Sequence, residues 1–126
     1  MVSGATGFIG KQLVHAILDG GQNVIPISRT RVPGSDTIVC DFEEKDFSQI
    51  SLANVDTVFH LAGFAHDMRD TNLVSDIYRV VNVDATVRLA NLAVKSGVRK
   101  FIFVSSVKAG GLPYLGALAS ENDQCE

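Results

Sequence analysis

Residues 2–10 read Val-Ser-Gly-Ala-Thr-Gly-Phe-Ile-Gly, which places glycines at positions 4, 7 and 10. This spacing is typical of a strand-to-helix turn that binds a dinucleotide. One glycine permits the tight turn, one lets the backbone approach a pyrophosphate, and one lets the helix pack closely on the strand. The spacing alone is weak evidence, but a helical pattern follows it, and then an apolar strand pattern at 23–28. The stretch therefore predicts a phosphate-binding turn with the N-terminus of a helix directed at the phosphates.

Strand and helix patterns alternate through most of the remaining sequence. We predict helices at 7–19, 46–52 and 71–96, and strands at 24–27, 37–40, 55–61 and 100–104. Gly20, Gly21 and Gly97 are predicted helix stops. This order predicts an α/β fold, a doubly wound parallel sheet of about five strands, with ligands bound at the carboxyl ends of the strands. The first strand has fewer residues than usual, which is consistent with a clipped start.

Composition limits the classes of partner. A chain of 126 residues can form one core, so we expect one domain or part of one. The net charge is −3 and the basic residues are scattered, which argues against a nucleic-acid partner. We expect no membrane partner and a cytoplasmic protein, because there is no signal peptide and no apolar run long enough to span a bilayer. Cys40 and Cys125 lack metal-ligand spacing and are expected to be reduced thiols, with no metal site.

Five segments in order carry a resemblance to a known family. They are the glycine turn, Asp41, His-Leu-Ala-Gly at 60–63, Asn-Val-Asp-Ala-Thr at 82–86 and Val-Ser-Ser at 104–106. Together they resemble the extended short-chain dehydrogenase/reductases, and within them the NAD-dependent epimerase/dehydratase family of nucleoside-diphosphate-sugar enzymes, often found in surface-polysaccharide synthesis. The resemblance covers nearly all of the chain. It implies a Rossmann fold, NAD or NADP as cofactor, a nucleotide-sugar substrate and a possible homodimer in the full-length protein.

The resemblance also implies roles for single residues. Cofactor contacts are implied for Gly4, Thr6, Gly7, Phe8, Ile9, Gly10, Ser28, Arg29, Asp41, Phe42, Leu61, Ala62, Gly63, Asn82 and Ser105. Ser106 would be the catalytic serine, hydrogen-bonded to the sugar hydroxyl or ketone that exchanges hydride. His66 would face the substrate.

Simpler interpretations remain open for several of these residues. Asp41 is also a plausible turn residue at the end of a strand. Asn82 could lie exposed on its helix, and Ser105 and Ser106 could be ordinary strand-end hydroxyls. His60, inside an apolar strand, is interpreted as a structural histidine with satisfied hydrogen bonds rather than as a catalyst.

Two features depart from the family pattern. The family's proton donor is a tyrosine four residues before a lysine, whereas here Tyr114 precedes Leu118 and Tyr78 precedes Asn82 at that spacing. We therefore expect residues 1–126 to be the N-terminal portion of the NAD(P)-binding domain, without the catalytic Tyr/Lys pair or the substrate domain, and inactive as given. The second departure is Ser28, where NAD-selective members carry an acidic residue. With Arg29 beside it, NADP is expected to bind at least as well as NAD.

The sequence therefore predicts the cofactor-binding part of an NAD(P)-dependent nucleotide-sugar epimerase or dehydratase. One alternative is a non-catalytic, dinucleotide-sensing Rossmann module. Another is a carbonyl reductase of the same superfamily that acts on a small ketone. The sequence does not distinguish among sugars, or between epimerase, dehydratase and reductase.

Overall fold

The computed structural model describes residues 1–44, 46–64 and 76–106. Its sheet contains β1 (Val2–Ser3), β2 (Pro26–Ser28), β3 (Ile38–Val39), β4 (Thr57–His60) and β5 (Lys100–Phe103). The strand order is β3-β2-β1-β4-β5, and all neighbouring strands are parallel. The first strand in the chain thus lies at the centre of the sheet, where Val2 pairs with both Pro26 and Phe59. The predicted α/β fold with about five parallel strands is confirmed.

In the part of the chain that the structure describes, helices pack on both faces of the sheet. Helix α1 (Phe8–Asp19) follows the glycine turn, and α2 (Ala85–Lys95) precedes β5. Residues 76–79 are helical and pass into a π-helical turn, Val80–Asp84, which continues into α2. The predicted stops are confirmed, since Gly20 is the C-cap residue of α1, Gly21 has a φ of +72°, and Gly97, also at +72°, follows α2. Residues 71–75 of the predicted long helix lie outside the described ranges.

The predicted helix at 46–52 is wrong. Turns occupy this segment instead, with Asn54 at a φ of +61°. The carboxylate of Asp46 accepts hydrogen bonds from the Ser48 backbone N–H at 2.8 Å and the Ser48 hydroxyl at 2.9 Å. Such a local bond gives the backbone an alternative to the helical ladder. Ile50 and Leu52 still pack into the core, so their apolar spacing reflected burial rather than a helix.

Strand β2 begins later than predicted, at Pro26 rather than Val24. A proline at the first position of a strand leaves the ladder intact, because the hydrogen bond it cannot donate lies at the edge of the pairing.

The core is divided between the two faces of the sheet. Val2, Ala5 and Val14 pack between the sheet and α1, whereas Ile27, Val58, Val81, Ala85 and Leu89 belong to a larger cluster that includes the buried face of α2.

Candidate dinucleotide site

A cleft opens at the carboxyl edge of the sheet, beside the N-terminus of α1. Ten residues with predicted cofactor contacts line it: Gly4, Thr6, Gly7, Ser28, Arg29, Asp41, Phe42, Leu61, Ala62 and Gly63. They come from the ends of four strands, which parallel pairing brings to one edge. Phe8, Ile9, Gly10, Asn82 and Ser105, by contrast, are not among its lining residues.

The three glycines of the turn have different physical roles. Gly4 has a φ of +69°, and a Cβ built on it would lie 2.7 Å from the Ala62 nitrogen. A Cβ on Gly10 would lie 2.1 Å from the Gly4 carbonyl oxygen, so these two glycines permit close backbone packing. Gly7 has an ordinary extended φ of −70°, and its Cβ would meet only the Gly4 oxygen, at 3.2 Å. Gly7 is thus the glycine whose missing side chain leaves space in the cleft.

The N-terminus of α1 is available to an anion. Gly7 is its N-cap residue, and no described side chain caps the helix or places an acidic group in its first turn. The side chains of Phe8 and Ile9 are 90% and 58% exposed, so only their backbone N–H groups can serve the predicted phosphate contact. This end of the cleft therefore fits a pyrophosphate, because the first turn of α1 has backbone donors and no acidic side chain.

The ends of β2 and β3 form the opposite part of the cleft. Asp41 accepts the Glu43 backbone N–H through Oδ1 at 3.0 Å, so the turn role considered for it is present in the structure. Its other carboxylate oxygen has no part in that bond. The hydroxyl of Ser28 donates to the Thr30 carbonyl oxygen, and Arg29 is exposed at the rim. The expectation that a 2′-phosphate is tolerated at position 28 stays a prediction.

Asn82 does not line the cleft but is hydrogen-bonded to Phe64, a residue that does. Its Oδ1 accepts the Phe64 backbone N–H at 2.6 Å, and its Nδ2 donates to the Phe64 carbonyl oxygen at 2.9 Å. This paired bond fixes one residue of the segment that follows β4, in the same way as a strand neighbour would. Asn82 is half-buried and hydrogen-bonded rather than exposed on its helix. Its implied cofactor contact stays a prediction.

His60 lies next to this segment and is fully buried. Its Nδ1 is 2.5 Å from the Ser3 hydroxyl oxygen, and its Nε2 is 2.8 Å from the Thr86 hydroxyl oxygen. Burial lowers its pKa from 6.5 to about 4, because desolvation disfavours the charged ring. The interpretation of His60 as a structural histidine with satisfied hydrogen bonds agrees with this arrangement.

Five lining residues were not predicted: Ile27, Cys40, Glu43, Phe64 and Val81. Each of them adjoins a predicted residue in the sequence, so widening each motif by one position would have found them. Burial raises the pKa of the Cys40 thiol, which stays protonated at neutral pH.

Ser105 and Ser106 follow β5 after one intervening residue, Val104, at the same edge of the sheet as the cleft. The Val104 N–H donates to the His60 carbonyl oxygen at 3.0 Å, which extends the β4–β5 pairing toward them. Both serines are exposed, and neither lines the cleft. His66 lies outside the described residues, so its predicted role stays a prediction, as does that of Ser106. In the described ranges no helix is long and apolar enough to cross a bilayer.

The sheet order, the glycine turn and the position of the cleft define a Rossmann-type fold of the doubly wound kind. The model of the NAD dependent epimerase/dehydratase family matches residues 1–116, and the chain belongs to this family. The predicted resemblance is thereby confirmed. So is the class of cofactor, since the family is NAD dependent.

Two curated relatives and one solved structure illustrate the similarity. UDP-glucose 4-epimerase of Vibrio cholerae is 34% identical over 116 residues, which are 88% of this chain and 35% of the relative. A 3-beta-hydroxysteroid dehydrogenase of Mycolicibacterium neoaurum is 30% identical over 115 residues, 84% of this chain and 31% of the relative. MoeE5 in complex with UDP-glucose and NAD superposes with a TM-score of 0.82 at 32% identity, over 99% of this chain and 41% of MoeE5. The chain spans about a third of the length of these curated relatives.

Proposed function

We propose that this chain is the cofactor-binding part of an NAD(P)-dependent nucleoside-diphosphate-sugar epimerase or dehydratase. The observation that carries the proposal is the cleft, because ten residues from four strand ends surround one space beside the uncapped N-terminus of α1. The similarity to an epimerase and to an NAD complex that also holds UDP-glucose supports the choice of substrate class. The nicotinamide would supply the hydride chemistry, and the protein would position it.

We propose the following roles for residues of the cleft and for Ser106. The pyrophosphate would lie over Gly7, against the first N–H groups of α1. The Asp41 carboxylate oxygen that is not bonded to Glu43 would accept from the adenine amine, with Phe42 beside it. Leu61, Ala62 and Gly63 would line the ribose side. Ser106, just beyond β5, would hydrogen-bond the reacting sugar hydroxyl or ketone.

We further propose that residues 1–126 bind the cofactor without turnover. Removal of a hydride from a carbinol needs a group that takes the hydroxyl proton, and a serine hydroxyl is a poor base. The sequence contains no tyrosine four residues before a lysine. On this proposal, a longer product of the same gene supplies the proton acceptor and the substrate domain that positions the sugar.

A second candidate function is the oxidation of an alcohol or the reduction of a ketone that is not a nucleotide sugar. The similarity to a 3-beta-hydroxysteroid dehydrogenase favours it as the alternative. The two candidates share the cofactor cleft and differ in the substrate, so cofactor binding does not separate them.

The test has two stages. Calorimetric titration of NAD and NADP into the 126-residue chain should give saturable binding of at least one, and absence of binding of both would overturn the proposal. UDP-sugars and a 3β-hydroxysteroid are then supplied with NAD or NADP to a longer product of the gene, and epimerisation is followed by NMR and cofactor reduction by absorbance. Conversion of a UDP-sugar supports the epimerase or dehydratase, whereas oxidation of the steroid alone supports the second candidate. Turnover by residues 1–126 alone would show that the base lies within them.

A further inference from the structure

His60 occupies a position where an apolar side chain would be expected. Along β4, His60 follows Val58 by two residues, so both lie on the face of the sheet that α2 covers. Its ring contacts the aromatic rings of Phe42, Phe101 and Phe103, with centroids 5.7, 6.0 and 5.8 Å away. An imidazole in such a place costs desolvation that only hydrogen bonds can offset. The position of the ring therefore indicates that its two hydrogen bonds have a use.

The hydrogen-bond pattern assigns the protons in this network. The Thr86 hydroxyl donates to the Asn82 carbonyl oxygen at 2.9 Å, so its oxygen is left to accept from the Nε2–H of His60. The neutral ring then has an unprotonated Nδ1, which accepts from the Ser3 hydroxyl. The Ser3 oxygen in turn accepts the Ala62 N–H at 3.3 Å. Each hydroxyl donates once and accepts once, and the four bonds run in one direction.

Both ends of the network reach the wall of the cleft. At one end, Ala62 is a lining residue, and Ser3 directly precedes the first glycine of the turn. At the other end, Asn82 fixes the backbone of Phe64, which is also a lining residue. The segment 61–64 is thus held at two points, and both points connect to His60. In the described part of the chain, no buried side-chain nitrogen or oxygen lacks a partner.

We propose that His60 is a positioning residue of the cofactor cleft. It couples Ser3 to Thr86 and so holds the segment 61–64 and the π-helical turn of Asn82 in one arrangement. The inference rests on the proposed dinucleotide binding and deepens it. A network satisfied at every atom specifies a single geometry, whereas an apolar residue at position 60 would only fill space.

The test uses Thr86, because valine has the shape of threonine without the hydroxyl. Thr86→Val removes the acceptor for His60 and the donor to Asn82, and Thr86→Ser restores both. Thr57→Val is the matched control on β4, since the Thr57 hydroxyl bonds to the exposed Asp56 carboxylate, away from the cleft. Each variant is titrated with NAD and NADP at a temperature at which circular dichroism shows it to be folded. Hydrogen exchange of the Ala62 and Phe64 amides is measured by NMR in the same samples.

We expect Thr86→Val to weaken dinucleotide binding roughly tenfold, because the two lost hydrogen bonds reach the cleft only through Ser3 and Asn82. The Phe64 amide should exchange faster, and the nitrogen-15 signals of His60 should no longer report a fixed Nε2–H tautomer. Thr86→Ser and Thr57→Val should stay within about twofold of the wild type.

Wild-type affinity and unchanged Phe64 exchange in Thr86→Val would overturn the proposal. So would an equal loss of affinity in Thr57→Val, because that would indicate general destabilisation. If the wild type binds neither dinucleotide, the proposed function fails, and the amide exchange alone then decides whether the network positions the segment. Unchanged exchange in that case would overturn the positioning role as well.

Discussion

The glycine turn at residues 4–10 and the network around His60 are adjacent in space, yet they are built in different ways. In the turn, position is set by the absence of side chains, because Gly4 and Gly10 allow backbones to approach within contact distance. In the network, position is set by polar side chains, and His60 reaches partners 57 and 26 residues away in the chain. The turn depends on close packing of the backbone at glycines, whereas the network depends on hydrogen bonds between side chains that are far apart in the sequence.

The difference has a practical meaning for reading such a chain. The glycine turn produces a fixed spacing of residues that can be recognised in the sequence. The residues of the His60 network have no such spacing. Substitutions and a change of pH distinguish the contribution of the glycine turn from that of the network.

Gly10→Ala should damage the fold itself. The added Cβ would lie 2.1 Å from the Gly4 carbonyl oxygen, and neither backbone can move without shifting β1 or α1. We expect a loss of about 4 kcal/mol or more in the free energy of unfolding. Urea denaturation measures this loss. Gly20→Ala is the control, because a Cβ on Gly20 would lie 3.3 Å from the Ala16 oxygen, a much less severe contact. Equal stability of the two variants would contradict the close packing assigned to Gly10.

Gly7→Val should remove binding and leave the fold. Its backbone is already extended, and the β-branched side chain would occupy the space proposed for the pyrophosphate. We expect dinucleotide affinity to fall at least about 100-fold, roughly 3 kcal/mol, in calorimetry. Gly20→Val, at the other end of α1, is the matched control. Undiminished affinity of Gly7→Val would show that the cleft binds its ligand elsewhere.

Acid should weaken the fold through His60. Its pKa is about 4 in the folded chain and 6.5 in the unfolded one, so the unfolded state binds more protons between these values. The contribution of the neutral His60 to the free energy of unfolding is fully present above pH 6.5. It falls by roughly 3 kcal/mol as the pH drops toward 4, at about 1.4 kcal/mol per pKa unit. The groups that touch the ring, Ser3, Thr86 and three phenylalanines, do not titrate in this range.

Urea denaturation between pH 7.5 and 4 measures this loss, and His60→Gln should flatten it. Two exposed carboxylates also respond to acid, but below this window. The pKa of Asp46 is lowered by the Ser48 backbone N–H, and that of Asp56 by its hydrogen bond with Arg99. A slope that is identical in His60→Gln would exclude His60 as the titrating group.

Arg29→Ala should have the smallest effect, and only on one cofactor. Arg29 is exposed at the rim and can pair with a 2′-phosphate, where screening limits the gain. We expect NADP affinity to fall by about tenfold at most, or roughly 1 kcal/mol, with NAD affinity unchanged. Parallel titrations of both cofactors decide it. An unchanged NADP affinity would mean that Arg29 is not the residue that reads the phosphate.

The comparison also explains how much the sequence could predict. The strand and helix order and the helix stops followed from local patterns, whereas the individual cleft residues were implied by the resemblance to a family. The turn at 46–52 was predicted as a helix because its apolar spacing matches one, while the competing Asp46 to Ser48 bond leaves no periodic signal. His60 was correctly interpreted as satisfied, but its partners Ser3 and Thr86 could not be identified. Nothing in the sequence indicates which hydroxyls the sheet order brings together.

The sheet order bears on how the chain acquires its structure during synthesis. Strand β1 is synthesised well before one of its two neighbours, β4, which begins at Thr57. Until that strand has been made, Val2 and Ser3 can pair only with β2, and the Gly4 backbone has no Ala62 to pack against. Contacts that join such distant parts of a chain close large loops and form slowly. The glycine turn, although encoded before β4, therefore becomes rigid only after Thr57–His60 and Ala62 have been translated.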